Sequence, residues 1–484
     1  MGDGEQGRVG EAFMRANAAH YHRVFFAGRL VVVTLSVLLG WLVWRWSRRL
    51  YGSAAALFSL ALYALSPEAL AHAGLATLDL ATALGFTASI YCFWGFARTG
   101  RWSWWLAMAV AVGATFLTRF AAVLLVPMLL ALALLGIILG RFRRPSRVWL
   151  GLALLPISTL LILVIGYRGG LSFSPLSTWP FESRLFQTLQ RVAPALRLPL
   201  PDLYLGGFDR QLVESGPGVT KTYLFGQVRD DSPWYYFPVA LAFKWPLAFL
   251  FALGLRVARS GPMFRSRRRI VDEMFLLLPA AGYLAVAMFL SHLSIGVRYV
   301  LPVLPFLCIW CGGWIPRSAL RPERVGRRTF ASGRVWNRIA IGLVLLLSVE
   351  TATTAPWYLA FFNLAAGGPG GGDRLVNDSN VDWGQGLIGL RDELRRRGIH
   401  RIYLAYHGTT DPAIYGIDYV PYRGGRRGTE SEWLAVSSYY LVGLSQRMMT
   451  QQGRTEFMRM ELGPLRNAPP AARPAHNMYL FRLR

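Results

Sequence analysis

Residues 293–306 read LSIGVRYVLPVLPF, and the reading of this stretch decides the fold. It joins two apolar segments, 274–292 and 300–315, and sets a charged Arg298 beside an amphipathic Tyr299 at their junction. Tyrosine collects at the headgroup level of a bilayer. A guanidinium there presents a planar fork of donors that suits a phosphate and does not lose its charge. A snorkelling arginine with an interfacial tyrosine accounts for the same two residues without any ligand. The placement of charge along the rest of the chain decides between these readings.

At 484 residues and 54% hydrophobic content, with long apolar runs recurring along most of its length, the chain reads as a membrane protein. Its net charge of +26 would suit nucleic acid, but the excess arginine lies in short loops between apolar runs, which argues against that partner. Cys92, Cys308 and Cys311 all fall in apolar segments. The Cys308–Cys311 spacing therefore reads as buried packing rather than metal or redox chemistry, and no disulfide framework is expected.

Apolar spans are expected at 24–44, 53–66, 77–97, 103–118, 120–140, 148–167, 235–255, 274–292, 299–315 and 339–356, the second being short for a full crossing. Five alternate loops between them hold 22 arginines, whereas the opposite short loop 66–78 holds Glu68 and no lysine or arginine. The positive-inside rule makes the arginine-rich loops cytoplasmic. Segment 1–23, the long loop 168–234 and everything after Pro356 are then exoplasmic, in a multi-pass protein of the inner (plasma) membrane. The 168–234 loop is too long for a passive turn and is expected to be an ordered cap.

The tail changes character. GGPGGG at 367–372 reads as a flexible hinge; no Gly-Lys-Ser/Thr follows it to make a phosphate cradle. Beyond it a helix near 386–397 and strands near 401–406, 433–437 and 478–482 outline a small α/β domain. The expected division is an N-terminal segment 1–23, a transmembrane domain 24–356 and an exoplasmic domain 357–484.

With the sides assigned, Arg29, His72, Asp79, Arg119 and Arg298 all fall at the exoplasmic ends of their spans. Asp79 opens a helix that Thr77 is placed to cap. An ionic group within the bilayer costs roughly 2.5–3.5 kcal/mol on insertion scales, so a one-sided cluster needs partners or a cavity. Three arginines against one aspartate leave positive charge that a phosphate would neutralise. The plainer alternative is that Asp79 pairs with Arg29 or Arg119 and nothing more. Lys244, deeper in its span, is either a member of a buried ion pair or a second phosphate contact. His72 reads more simply as a polar interfacial residue than as a catalyst.

These residues resemble the glycosyltransferase C superfamily, in particular bacterial relatives of the protein O-mannosyltransferases and of the lipid A aminoarabinose transferase. HAGLATLDLATA (72–83) is similar to the segment where those enzymes carry an aspartate at a helix start, here Asp79. FLTRFAAVLLVP (116–127) is similar to one with a basic residue after threonine, here Arg119. PWYYFP (233–238) looks like the entry to the helix after the large exoplasmic loop. RYVLPVLP (298–305) resembles a segment whose tyrosine contacts the lipid phosphate, here Tyr299. DSNVDWGQ (378–385) looks like part of a tail domain found on a subgroup of bacterial members. The family carries its catalytic carboxylate in a first exoplasmic loop after an N-terminal helix. Asp3, Glu5 and Glu11 do not reproduce that motif, so this helix and acidic loop are expected to be lacking.

The resemblance implies a polytopic α-helical membrane protein of about ten spans with a C-terminal exoplasmic α/β domain. It implies a polyprenyl-phosphate sugar as donor, a protein or envelope glycolipid as acceptor, inversion at the anomeric carbon, and no metal or other cofactor. Donor-phosphate binding then falls to Arg119, Arg298, Tyr299 and Lys244, catalysis to Asp79, and acceptor contact or positioning to His72 and Arg29. The rival readings are a catalytically impaired homologue acting as a scaffold, and a lipid or solute transporter. A transporter would place ionisable residues along a mid-membrane path rather than at one face.

Overall fold

The computed structural model describes residues 3–261, 266–315, 327–422, 430–444, 446–449, 455–458 and 462–483; Arg265, Arg317, Arg321 and Arg324 of the arginine-rich loops lie outside these. Every one of the ten apolar segments contains helix. Six are long and apolar enough to cross a membrane: Ala18–Tyr51, Asp79–Thr99, Phe120–Ile138, Pro145–Gly166, Arg267–Phe289 and Val335–Ala352. Two more are pairs bent at a break, Ser53–Ala64 with Pro67–Ala73 (59°) and Tyr236–Lys244 with Leu247–Ala258 (114°). The remaining two, Trp102–Thr118 and Val303–Gly312, are shorter. Stripes of apolar side chains at helical spacing face outward, Ile157, Leu161 and Ile165 being 67%, 61% and 68% exposed. Ile341, Leu345 and Val349 make a second stripe, 60–63% exposed. Water would penalise such surfaces and lipid would not. The chain is an integral membrane protein.

The segment 235–255, expected as one span, is therefore broken. Pro246 lacks an N–H and drives the preceding Trp245 to extended backbone (φ −88°, ψ 140°). The helix that starts anew has orphan amides, and a distant carboxylate meets two of them: Glu350 accepts from Leu247 N (3.0 Å) and Ala248 N (3.1 Å). Pro67 opens the second member of the other bent pair in the same way. Inside the bundle the helices Asp79–Thr99 and Trp102–Thr118 approach closely at Gly85, where any Cβ would run into Thr115. Trp46, Phe86, Phe93, Phe275 and Phe306 fill the core around them.

The loop 168–234 has its own small core of Leu176, Phe181, Phe186 and Leu205, around helices Arg184–Val192 and Asp202–Glu214. It is tied down at its far end. Phe225 N donates to Leu375 O (2.8 Å), His292 N to Ser215 O (3.2 Å) and Thr220 Oγ1 to His292 O (3.2 Å).

The tail's α/β unit is a four-stranded sheet of β1 (Arg401–Ala405), β2 (Asp418–Pro421), β3 (Trp433–Ser437) and β4 (Met478–Arg482), in the order β4-β3-β1-β2. β1 runs parallel to β2 and β3, and β4 is antiparallel to β3. Leu387, Leu390 and Leu394 of the helix Leu387–Arg397 lie at i, i+3 and i+7 and pack on Ile402, Leu404, Ala435 and Leu480. Alternate residues Tyr403, Ala405, Leu434, Val436 and Phe481 form the opposite face. β2 carries no strand signal in the sequence, its four residues including a proline and an aspartate.

The Gly-rich run expected as a hinge is packed instead. The core of the bundle continues through Ala360, Phe362, Val376 and Val381, and the separate α/β core begins only at Leu387. Gly367 and Gly368 take φ of 81° and 66°, which glycine alone adopts freely, and Gly372 lies under Phe362 where a Cβ has no room. Asn363 fastens the start of this stretch, its Nδ2 donating to Ala242 O (2.7 Å) and Trp245 O (2.8 Å). These are carbonyls released by the break at Pro246.

Candidate functional site

Asp79 is the first residue of its helix and 1% exposed. Thr77 does not cap that helix: its hydroxyl is buried without a hydrogen-bond partner among the described residues, and Leu78 stands at the cap position. Arg119 is the extended residue (φ −159°, ψ 142°) between the helix Trp102–Thr118 and the turn Phe120–Leu124. This break lets its side chain reach back, and Nη1 lies 2.9 Å from Asp79 Oδ1. Of the two partners expected for Asp79, the structure selects Arg119. Arg29 is exposed and lies within electrostatic reach of Tyr415 of the α/β unit; among the described residues it makes no ion pair with Asp79.

Behind Asp79 stands a row of ionisable side chains. His72 Nδ1 is 3.9 Å from Asp79 Oδ2, and its Nε2 is 3.6 Å from Glu68 Oε2. Glu68 Oε1 is 3.4 Å from Lys244 Nζ. All four side chains are at most 2% exposed. Lys244 also donates to Leu359 O, Phe361 O and Asn380 O, each at 2.8 Å. An ammonium has three protons, and all three are engaged by the tail. Lys244 is thus a buried ion-pair member that pins the tail, and the expectation that it contacts a phosphate is corrected.

Arg298 and Tyr299 occupy a 3-10 turn, Val297–Val300, rather than the start of the next helix, which begins at Val303. Both guanidiniums meet the same ring: Arg119 lies 5.1 Å and Arg298 4.7 Å from the Tyr299 centroid. Arg298 Nη2 donates to the Tyr299 hydroxyl (3.3 Å), and the Trp383 ring centroid lies 4.1 Å from the same guanidinium. Its Nε is buried with no hydrogen-bond partner among the described residues.

Trp383 belongs to the DSNVDWGQ stretch, which docks beside Arg298 through contacts distant in sequence. Ser379 N donates to Ile295 O (3.1 Å), and Asn380 Oδ1 accepts from Val297 N (3.0 Å). Asn380 Nδ2 donates to the Tyr236 hydroxyl (2.8 Å). Gly296 makes room for Ser379 that no Cβ would leave. Asp382, 0% exposed, accepts from Gly384 N (3.0 Å), Asn477 Nδ2 (2.8 Å) and the Ser437 hydroxyl. Burial pushes its carboxyl up to about 7. Glu68, a marker of topology in the sequence, also stands four residues before His72, the spacing that puts the two on one helix face. Cys308 and Cys311 are buried and free. Among the described residues no group of three or more His, Cys, Asp or Glu side chains is placed to hold a metal ion.

Residues 9–164 match the family model of the dolichyl-phosphate-mannose-protein mannosyltransferases. The resemblance read from the motifs is borne out over this stretch, which includes the segments bearing His72, Asp79 and Arg119. No curated protein sequence matches the chain. Among solved structures, ArnT from Cupriavidus metallidurans bound to undecaprenyl phosphate gives a TM-score of 0.41 at 16% identity, covering 68% of this chain and 57% of that one. The apo form of that protein gives 0.40 at 15%, covering 68% and 56%. The apo oligosaccharyltransferase of Archaeoglobus fulgidus gives 0.44 at 11%, covering 90% and 64%. The chain thus spans less than two thirds of the length of each.

Proposed function

We propose that the chain is a membrane glycosyltransferase that moves a sugar from a polyprenyl-phosphate donor to an exoplasmic acceptor, a protein or envelope glycolipid, inverting the anomeric carbon. The observation that carries this reading is Arg298, a guanidinium in contact with two aromatic rings, with a buried N–H that no group among the described residues accepts. Leaving such a donor unpaired costs about 1–3 kcal/mol or more, and an anionic ligand removes that cost. In this reading the ten apolar segments each enter or cross the bilayer of the inner membrane, and 22 arginines hold one side in the cytoplasm. The site and the tail then face outward.

The donor's phosphate lies against Arg298 and Arg119. Tyr299, whose hydroxyl oxygen already accepts from Arg298, turns its own hydrogen to a phosphate oxygen. As the bond from the anomeric carbon to the phosphate oxygen breaks, charge gathers on the departing lipid phosphate. Fixed cations meet it in the transition state more strongly than in the ground state. Asp79 holds Arg119 at its post, and His72 with Glu68 holds Asp79. Arg29, on the exposed side towards Tyr415, is left for the acceptor.

Vesicles carrying the full chain, supplied with radiolabelled polyprenyl-phosphate sugars, test this. Transfer should fall by about 100-fold or more in Arg298→Ala, on the scale of removing one transition-state donor. Arg298→Lys keeps the charge without the fork and should retain part of the rate. Full transfer by both Arg298→Ala and Asp79→Asn would overturn the reading.

A further inference from the structure

A transfer to a hydroxyl or amine needs a group to take its proton, and the carboxylates near Arg298 differ in whether they are free to do so. Asp79 and Glu68 are almost wholly buried and each is committed to a cation, Asp79 to Arg119 at 2.9 Å and Glu68 to Lys244 at 3.4 Å. Asp382 is wholly buried among three donors. Asp378 is different. It is half-buried, and among the described residues it makes no ion pair. Only its Oδ1 is used, accepting from Ser379 N (2.6 Å) and Ser379 Oγ (3.1 Å). Its backbone takes φ of 62°, a left-handed conformation that a non-glycine residue holds at a cost and that recurs at functional sites. The neighbouring Ser379 and Asn380 are hydrogen-bonded to Ile295 and Val297, next to Arg298 in the chain, and Trp383 lies against Arg298 itself.

We infer that Asp378 is the carboxylate that takes the acceptor's proton beside the lipid phosphate; this rests on the glycosyl-transfer reading above. The acceptor's O–H or N–H proton passes to Asp378, and the freed electron pair forms the bond to the anomeric carbon. The bond from that carbon to the phosphate oxygen breaks with its electrons on the polyprenyl phosphate. Asp378 then gives its proton to water. The groups that face Asp378 are Arg298, Tyr236 of the helix Tyr236–Lys244, Tyr439, and Asp382 of its own segment. Burial pushes its carboxyl up to about 6, against the hydrogen bonds from Ser379 and the pull of Arg298. A base close to working pH is the efficient kind.

The test is calorimetric titration of the full chain in detergent with undecaprenyl phosphate at pH 6, in two buffers of different ionisation enthalpy. The arriving phosphate raises the affinity of Asp378 for a proton, so a carboxyl half-protonated at that pH fills. The lipid phosphate titrates near pH 6 as well, so the wild type is read against Asp378→Asn, which keeps an oxygen for Ser379. The wild type should take up about half a proton more per lipid than the variant. Asp382→Asn should take up as much as the wild type. Asp378→Ser, whose hydroxyl also accepts from a nearby amide, repeats the measurement should the first variant not fold. In the vesicle assay Asp378→Asn should bind lipid yet lose about 100-fold or more of the transfer rate. Equal proton uptake by wild type and Asp378→Asn, loss of uptake in Asp382→Asn, or undiminished transfer by Asp378→Asn overturns the inference alone. A wild-type protein that does not bind undecaprenyl phosphate overturns the lipid-phosphate reading as well.

Discussion

Replacing Lys244 by methionine keeps the volume of the side chain and removes its charge. Glu68 is then left buried without its cation, and Leu359, Phe361 and Asn380 each lose a 2.8 Å donor to their carbonyls. Breaking a buried pair by removing one partner costs about 3–5 kcal/mol. Because three of the four contacts reach the tail, the loss should be felt as opening of residues 359–380 rather than of the whole bundle. At about 1.4 kcal/mol per tenfold, the open population rises on the order of 10²–10³-fold. Hydrogen exchange read by mass spectrometry on peptides covering 359–380 checks this, with peptides from the helix Asp79–Thr99 as the internal reference. Adding Glu68→Gln removes the stranded carboxylate and should recover part of the protection. Unchanged exchange in Lys244→Met would refute the assignment of Lys244 as the tail's anchor, as would a double variant that opens further than the single one.

Two further outcomes are expected. Asp382 titrates near 7 in the folded protein against about 4 in an unfolded chain, because burial disfavours its charge. The folded state therefore binds the extra proton between those values, and this contribution to stability is full at low pH and lost as pH rises towards 7, by about 1.4 kcal/mol per unit. His407, stacked on Tyr439 at 3.8 Å and pushed down to about 4 by burial, acts with the opposite sign: its contribution is lost as pH falls from about 6.5 towards 4. Thermal unfolding followed from pH 4.5 to 8 should show a slope that Asp382→Asn and His407→Phe change in opposite directions; parallel profiles would contradict it. Glu350→Ala strips the cap from the helix Leu247–Ala258 and should destabilise by about 1–3 kcal/mol. An unchanged unfolding midpoint in detergent would show that the two amides find other partners.

The sequence was most informative where a physical signal is local. Apolar length marked the helical segments, and β1, β3, β4 and the helix before them were legible from periodicity of 2 and 3.6. Non-local partners were not legible. Glycine at 367–372 signals backbone freedom, but the use made of it at Gly372, to lie under Phe362, depends on packing that only the folded chain sets. The pairing of Asp79 with Arg119 was one of two alternatives, and the extended backbone of Arg119, which no propensity specifies, decides between them. Pro246 is a local signal that outweighs the apolar composition around it, and its break releases the carbonyls that Asn363 uses.

These partners make the tail a part of the membrane unit. Lys244 and Glu68 are buried where each would be costly alone, and the pair by itself leaves the three ammonium protons poorly met. The carbonyls of 359, 361 and 380 complete the arrangement, and all three follow the last apolar helix in the chain. The same segment then brings Asp378 and Trp383 to Arg298 by way of Asn380, whose side chain and carbonyl reach both Val297 and Lys244. One asparagine thus couples the buried charges to the guanidinium turn. A bundle without its tail would leave Arg298 without the Trp383 ring and Lys244 buried without its three carbonyl acceptors, so its stability should fall.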